Sequence, residues 1–134
     1  MNELITIGID IVEKKRFISW IQFKNAQLLK IFSDEEIAYA RQKPVFSAER
    51  LAVRFAAKEA FFKALQQINP ELKMSFLSIA QAIHIKNTEH GMPSLLINTS
   101  KLPSYFSKMQ FHSSLSLTHS SCCAMACILL RITK

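Results

Sequence analysis

From Leu4 to Val12, every second residue is an isoleucine, and this period of two predicts a β-strand near the start of the chain. Four isoleucines occupy one face of this strand, and Thr6, Gly8, Asp10 and Val12 occupy the other. Because Gly8 has no side chain, backbone lies open beside the Asp10 carboxylate, where a ligand could approach closely. A bulge at Gly8, with Asp10 at a strand end, explains the same residues equally well.

Two shorter helical patterns follow the strand. Apolar positions at helical spacing predict a helix from Glu13 to about Lys24, whose early cations oppose the helix dipole and are expected to face a partner. The segment Ser33-Asp34-Glu35-Glu36 is a capping box, which marks the start of a helix. That second helix is predicted to stop before Pro44.

A long third helix is predicted from Ser47, as its N-cap, to about Gln66. Its otherwise apolar central segment is interrupted by four charges, Arg54, Lys58, Glu59 and Lys63. The last two share one stripe of the helix and the first two share another. Burial of an ion is costly unless it is paired, so intrahelical ion pairs and a functional site are both compatible with this spacing.

Beyond the long helix the hydrophobic period changes to two. Turns at His90-Gly91-Met92-Pro93 and at Ser120-Ser121-Cys122 divide this half into two hairpins. The segment between the hairpins, Lys101 to Gln110, is compatible with either a break or a short helix. The four predicted strands are Ala82–Lys86, Ser94–Ile97, Ser114–His119 and Ala124–Leu130.

Helices in the first half and strands in the second predict an α+β fold, in which the long helix packs against one face of an antiparallel sheet. The 134 residues are expected to form one domain, 1–134. The first residues lack the basic segment of a signal sequence, and no apolar stretch reaches the length of a bilayer span. We therefore expect a cytoplasmic protein that does not enter a membrane.

Charge and cysteine content limit the partners only in part. The net charge of +7 predicts attraction to nucleic acid, a phosphorylated metabolite, a membrane surface or an acidic protein. The basic residues are scattered and form no block that is typical of a nucleic-acid arm. Cys122, Cys123 and Cys127 fit a reducing compartment and are expected to be small apolar residues rather than zinc ligands.

Three separated segments resemble one family, the holo-acyl-carrier-protein synthases, which are the small group of the 4′-phosphopantetheinyl transferase superfamily. The run Ile7-Gly8-Ile9-Asp10-Ile11-Val12-Glu13, followed by Arg16, is similar to the N-terminal signature. The segment from Ala48 to Ala64 resembles the central motif along its whole length. Ser116-Leu117-Thr118-His119 resembles the C-terminal Ser-Leu-Ser-His motif, and Gly91-Met92-Pro93 matches a Gly-x-Pro turn.

The resemblance implies transfer of the 4′-phosphopantetheine arm of coenzyme A to a serine of apo acyl carrier protein, releasing adenosine 3′,5′-bisphosphate, in fatty acid biosynthesis. It also implies the 4′-phosphopantetheinyl transferase fold and a homotrimer with active sites between subunits. Asp10 and Glu59 would be catalytic residues that hold Mg²⁺, which neutralises charge on a pyrophosphate leaving group.

The resemblance also assigns roles around that metal. Lys63 would contact the phosphates and assist removal of the serine proton, but Glu59 and a metal-bound water remain open as the base. Pro93 and His119 would bind coenzyme A. Arg54 and Lys58 would bind its phosphates or pair across an interface.

Arg16, with Lys14 and Lys15, would dock an acyl carrier protein, which is strongly acidic in general. The chain departs from the family where Leu65-Gln66-Gln67 replaces the usual glycines, which leaves the shape of the loop near coenzyme A open. Thr118 replaces a serine, and Cys123 stands where a tyrosine is common.

Two other functions compete with this one. The acceptor could be a carrier domain of a polyketide or peptide synthetase. Alternatively, the chain could be a non-catalytic basic domain that binds nucleic acid, although most aromatic residues lie in apolar helical segments rather than among cations. We expect neither nucleic acid nor a membrane as a partner.

Overall fold

One long helix lies against a three-stranded antiparallel sheet in the computed structural model, which describes residues 2–134. This arrangement confirms the predicted α+β fold with a long central helix. The strands are β1 (Glu3–Glu13), β2 (Ile83–Asn87), β3 (Pro93–Ile97), β4 (Gln110–His119) and β5 (Cys123–Thr133). The helices are α1 (Asn25–Leu28), α2 (Asp34–Arg41), α3 (Ser47–Gln66) and α4 (Phe76–Ala80).

The main sheet has the strand order β1-β5-β4, and its neighbouring strands are antiparallel. Its inner face packs against α3. Every second residue of β5 from Ala124 to Ile132 faces the helix and is therefore buried. Strands β2 and β3 form a separate two-stranded sheet. Within residues 2–134, no helix has both the length and the apolar character needed to cross a bilayer.

Gly8 lies where α3 crosses β1. A Cβ atom at this position would come within 1.7 Å of the carbonyl oxygen of Ala60 and 3.1 Å of the backbone nitrogen of Ala64. The expectation that a ligand approaches the backbone at Gly8 is therefore wrong, since a helix occupies that space. The small residues Gly8, Ala60 and Ala64 bring the helix and the strand into close contact.

Replacing Gly8 by alanine is expected to lower the free energy of unfolding by about 3 kcal/mol, because the added methyl group meets backbone that can move only with the whole helix. Urea denaturation of both proteins measures the change. Ser78→Ala, on the exposed side of α4, is the control and should change stability by less than about 0.5 kcal/mol. A Gly8→Ala effect no larger than that of the control would contradict the close crossing.

The first helical prediction is only partly right. Residues from Glu13 to Lys24 do not form one helix, since they complete β1 and then make two 3₁₀ turns, Lys14–Phe17 and Ser19–Gln22. Phe17 is fully buried against Trp20 and Phe55, with ring centroids 4.7 and 5.4 Å away. Packing of these rings, rather than helix propensity, determines the local path of the chain.

The capping box is confirmed at α2. The Ser33 hydroxyl accepts the N–H of Glu36 at 3.2 Å, and the Glu36 carboxylate accepts the N–H of Ser33 at 2.9 Å. Ser47, by contrast, does not cap α3, because its buried hydroxyl donates to the carbonyl oxygen of Ala40 at 2.7 Å. Ser47 therefore joins α3 to the end of α2.

The strands of the second half are confirmed with shifted ends. The largest change is in β4, which begins at Gln110 rather than Ser114. The ambiguous segment before it, Lys101 to Gln110, contains one short 3₁₀ turn, Ser104–Phe106, and follows another at Thr99–Lys101. The sequence pattern missed α4, which begins at a Ser75 cap.

Candidate active site

Asp10, Glu59 and Lys63 meet where β1 contacts α3. Asp10 lies on the inner face of β1, and Glu59 and Lys63 lie one turn apart on the helix. The Lys63 ammonium is 3.0 Å from the Asp10 carboxylate and donates to the carbonyl oxygen of Ile9, also at 3.0 Å. Among residues 2–134 there is no Glu59–Lys63 ion pair, so Lys63 bridges helix and strand instead of pairing along the helix.

Glu59 stands in an environment that disfavours its charge. Burial raises the pKa of the half-buried Glu59 carboxyl, and the nearby Asp10 carboxylate raises it further. Lys63 and Arg16 act in the opposite direction. A carboxyl group whose pKa is raised by burial and by a neighbouring carboxylate is common at sites that hold a cation.

The chemistry of these donors fits Mg²⁺. This ion takes one or two protein carboxylates and keeps waters or substrate phosphates as its other ligands. Residues 2–134 contain no group of three or more His, Cys, Asp or Glu side chains that could hold a metal ion by themselves. The pair Asp10 and Glu59 therefore fits a metal that arrives with phosphate and not a metal held by protein alone.

Arg16 lies near the carboxylate pair. Its guanidinium stands over the Phe55 ring, 4.8 Å from the ring centroid, and contacts the Phe17 and Trp20 rings at 5.6 Å. The stacked position leaves Arg16 exposed while fixing where its charge lies.

The predicted basic patch around Arg16 is smaller than expected. The Lys14 ammonium is 2.6 Å from the Glu49 carboxylate, and its side chain is only 16% exposed, so Lys14 is not free to dock a partner. Lys15 keeps an 81% exposed side chain, although it pairs with Glu13 at 3.1 Å. The structure thus separates Lys14 from the surface that Arg16 and Lys15 present.

A second group of site residues lines a cavity of about 490 Å³ between α2, α3, β3 and β4. Arg54, Pro93 and His119 line it, as does Arg50. The guanidinium groups of Arg50 and Arg54 stand over the Tyr39 ring, 4.0 and 4.3 Å from its centroid. Two stacked cations in one cavity favour an anionic ligand.

Arg54 has an unused hydrogen-bond donor at this cavity. The residue is 4% exposed, and its buried Nε has no partner among the described residues. Burial lowers the pKa of Arg54 below that of an ordinary arginine, and nearby Glu36 partly offsets this effect. An unsatisfied buried donor is rare in proteins, and this one lies behind the part of the guanidinium that lines the cavity.

The mouth of the cavity carries a small ionic network. The Glu49 carboxylate is 3.1 Å from His119 Nδ1 and 2.6 Å from the Lys14 ammonium. His119 is half exposed and ends β4, so its ring can face a ligand that enters the cavity.

Within one chain, the Asp10–Glu59 carboxylate pair and the residues that line the cavity are separate groups. Glu49, at the cavity, and Glu59, at the carboxylate pair, are separated by ten residues of α3, a rise of about 15 Å. In the sheet, Asp10 pairs with Ala126 and His119 pairs with Ala124 on the two sides of β5, so their Cα atoms are about 12 Å apart. A ligand that contacts both predicted residues must span that distance.

The prediction that Lys58 binds coenzyme A is wrong. Its side chain is fully buried, and its ammonium is 2.9 Å from the Glu36 carboxylate. The same ammonium donates to the carbonyl oxygens of Ala80 at 2.9 Å and Ile83 at 2.8 Å. These three acceptors use the three donors of the ammonium, so none remains for a ligand.

Gln67, in place of the usual glycine, makes contact with the edge of β1. Its side-chain amide donates to the carbonyl oxygen of Ile7 at 2.7 Å, and its Oε1 accepts the N–H of Ile7 at 3.3 Å. A glutamine here thus pairs with free strand backbone, which a glycine has no side chain to do.

Sequence reasoning missed Arg50, Glu49 and Tyr39 at the cavity. A signal for Arg50 was present, because it precedes Arg54 by four residues and so lies on the same stripe of α3. No spacing rule could have found Tyr39, because it lies on a different helix.

The fold is shared with proteins of known structure and activity. The apo synthase structure from Chronobacterium ammoniagenes has a TM-score of 0.82 and 26% identity, covering 99% of this chain and 100% of that chain. The Helicobacter pylori holo-[acyl-carrier-protein] synthase, in complex with coenzyme A, has a TM-score of 0.69 and 32% identity, covering 92% of this chain and 98% of that chain. The fold therefore places this protein in the class of small transferases to which these two synthases belong.

The sequence comparisons identify the family. The 4′-phosphopantetheinyl transferase superfamily model matches residues 6–126. A holo-[acyl-carrier-protein] synthase from Treponema denticola is 35% identical over 127 residues, which cover 95% of this chain and 98% of that protein. The chain belongs to the 4′-phosphopantetheinyl transferase superfamily, which confirms the resemblance drawn from its motifs.

Proposed function

We propose that the protein transfers the 4′-phosphopantetheine moiety of coenzyme A to a serine of apo acyl carrier protein, with adenosine 3′,5′-bisphosphate as the second product. The observation that carries the proposal is the Asp10–Glu59 carboxylate pair with Lys63 beside it, in a chain of this family. The whole chain, 1–134, would act as one transferase domain in fatty acid biosynthesis, in the cytoplasm. Its three free cysteines agree with a reducing compartment.

Asp10 and Glu59 would hold Mg²⁺. When bound, this ion neutralises charge on the pyrophosphate oxygens of coenzyme A and so stabilises the leaving group. Asp10 and Glu59 form a position that suits a cation before one binds, since Glu59 is half buried and its negative charge is disfavoured without a cation. Lys63 now neutralises Asp10, and phosphate binding would give its ammonium a second anionic partner.

Lys63 would orient the phosphate and remain near the acceptor serine. Its ammonium is fixed from two sides by Asp10 and the Ile9 carbonyl oxygen, so its position is defined before substrate binds. Positioning of this kind supplies much of the rate enhancement in phosphoryl transfer. Glu59, with its raised pKa, and Lys63 are both candidates for the general base.

The nucleotide end of coenzyme A would occupy the 490 Å³ cavity. Its phosphate would contact the guanidinium groups of Arg50 and Arg54, and His119 would approach the diphosphate from the end of β4. Pro93 would form part of the wall. Arg16 and Lys15 remain exposed and cationic, which suits docking of an acidic carrier protein.

A homotrimer would explain the outer face of the sheet. Ile5, Ile7, Ile9 and Ile11 are each more than half exposed, and Leu129 beside them is 43% exposed. An exposed apolar patch of this kind marks an interaction surface. The family resemblance implies active sites between subunits, so association through this face would let two chains share one site.

Replacing Ile7 by glutamate is expected to dissociate the assembly, because a charge would be buried in an apolar interface. Analytical ultracentrifugation would then give a folded monomer, and transfer activity would fall at least about 100-fold as the shared site is lost. Leu77→Glu is the matched control, since Leu77 is 45% exposed but lies on α4, away from the sheet. A monomeric wild-type protein with full activity would contradict the shared site.

The function itself is tested by intact-mass measurement of purified apo carrier proteins incubated with coenzyme A and Mg²⁺. We expect a mass gain of one phosphopantetheine on the fatty-acid carrier protein and slower modification of polyketide or peptide-synthetase carriers. A faster rate on the latter would change the acceptor assignment. Salt-dependent binding of nucleic acid, without any response to coenzyme A, would reject the transferase.

A further inference from the structure

Two neighbouring thiols meet at the turn between β4 and β5. The Sγ atoms of Cys122 and Cys123 are 3.7 Å apart, and neither residue belongs to a disulfide. Successive side chains of an extended segment point to opposite faces, so a continuous strand would separate these two sulfurs. The turn that begins at Ser120 brings them onto one side.

Ser120 holds this arrangement. Its hydroxyl oxygen accepts the N–H groups of Cys122 at 3.3 Å and Cys123 at 3.1 Å. The hydroxyl hydrogen is then free to donate to the Cys122 sulfur, 3.6 Å away. This hydrogen bond and the contact with the Cys123 thiol lower the pKa of the exposed Cys122 thiol, whereas the same contact raises the pKa of Cys123. Cys122 is therefore the first of the two to ionise, as a metal ligand must.

The distance between the sulfurs favours chelation over a disulfide. A disulfide bond is about 2.05 Å long and usually joins Cα atoms at least about 4.4 Å apart, whereas adjacent residues are held at about 3.8 Å. Two sulfurs that each bind one soft ion at about 2.3 Å are at most about 4.6 Å apart, and the observed 3.7 Å lies within that limit. Binding of a single ion therefore does not require the sulfurs to come closer, while disulfide formation requires a shift of about 1.7 Å.

The surroundings leave room for a ligand. A cavity of about 480 Å³ adjoins the two thiols and is lined by Lys14, Lys15 and Ile18. The N–H of Lys14 donates to the carbonyl oxygen of Cys122 at 2.8 Å, which fixes the turn against the end of β1. Since residues 2–134 offer no third side chain for a zinc site, the ligand must be stable with two sulfurs.

We propose that Cys122 and Cys123 form a vicinal dithiol site that binds a soft, thiophilic metal or metalloid, such as Cu(I) or trivalent arsenic, through both sulfurs. This site is separate from the proposed transfer chemistry and does not depend on it. Cys127, four residues along β5, is not part of the site.

Phenylarsine oxide is a suitable probe. One arsenic atom forms a bond to each sulfur, and the two thiol protons leave with the arsenic-bound oxygen as one water. Intact-protein mass spectrometry and titration should show one adduct on the wild-type protein. Cys122→Ser and Cys123→Ser should each weaken binding at least about 100-fold, because the second bond no longer forms within the molecule.

Cys127→Ser is the matched control and should bind the probe as the wild type does. An excess of a monothiol should leave the wild-type adduct intact, whereas a dithiol should remove it. Equal binding by the Cys122→Ser, Cys123→Ser double variant would overturn the proposal. Removal of the wild-type adduct by monothiol and dithiol with equal ease would overturn it too.

Discussion

Asp10→Asn and Glu59→Gln should each lower the rate of phosphopantetheine transfer by about 1,000-fold, equivalent to about 4 kcal/mol of transition-state stabilisation. Both substitutions keep the size of the side chain and remove one negative charge from the carboxylate pair. The rate falls because Mg²⁺ held by only two protein carboxylates binds much more weakly when either carboxylate is neutralised. Initial rates of holo carrier protein formation, followed by mass spectrometry across Mg²⁺ concentrations, measure the effect.

The two carboxylates should behave as a unit. The double variant is expected to be no slower than either single variant, because both residues serve the same ion. Glu71→Gln, an exposed glutamate beyond the end of α3, is the matched control and should keep wild-type activity. Circular dichroism should show that all variants remain folded, since the Asp10–Lys63 pair is partly exposed and contributes little to stability. Activity within twofold of wild type in either single variant would reject the assignment.

Glu36→Ala should lower the free energy of unfolding by about 3–5 kcal/mol, because it leaves the Lys58 ammonium buried without its counter-ion. Glu36 and Lys58 both have fully buried side chains, 2.9 Å apart. Glu36 also accepts the N–H of Ile85 at 3.1 Å, so its loss leaves a strand donor unpaired as well. Urea denaturation at neutral pH measures the change.

The size of this effect should depend on pH. Burial lowers the pKa of Lys58 in the folded protein, and Glu36 opposes that shift, so the variant has a lower Lys58 pKa than the wild type. Between that folded pKa and the ordinary lysine value, the unfolded chain binds more protons than the folded one, so stability of the variant rises with pH. The difference from wild type should therefore shrink at alkaline pH.

Glu35→Ala is the matched control for this experiment. Glu35 is the neighbouring residue of α2, its side chain is 77% exposed, and within residues 2–134 it pairs only with His84, at 3.3 Å. Its loss should change stability by less than about 1 kcal/mol. An effect of Glu36→Ala that is equally small, or one that does not vary with pH, would show that the buried pair does not stabilise the protein.

Several features of the candidate site could be predicted from residue patterns alone. The alternation of β1 placed Asp10 opposite the isoleucine face, and helical spacing placed Glu59 and Lys63 one turn apart. The capping box at Ser33 defined the start of α2 because it depends only on residues three positions apart. Motif resemblance then identified the family, which the comparisons confirm.

Contacts between distant segments could not be predicted in this way. Lys58 and Lys63 lie on the same helix, and spacing alone cannot tell which is buried against α2 and which reaches β1. The conformation of residues 13–24 also depends on packing of Phe17 against Phe55, far along the chain. Local patterns contain no information on such pairs, because burial depends on which elements meet.

By itself, the sequence determined the α+β class, the family and the order of the elements, since these follow from periodicity and from motifs of adjacent residues. Only the tertiary structure decided the role of each charge on α3. There, Lys58 forms a buried pair with Glu36, Lys63 bridges to Asp10, and Arg54 lines a cavity together with Arg50. The physical reason is that a charge is stabilised by the groups around it, and those groups come from α2, β1 and other segments distant in the chain.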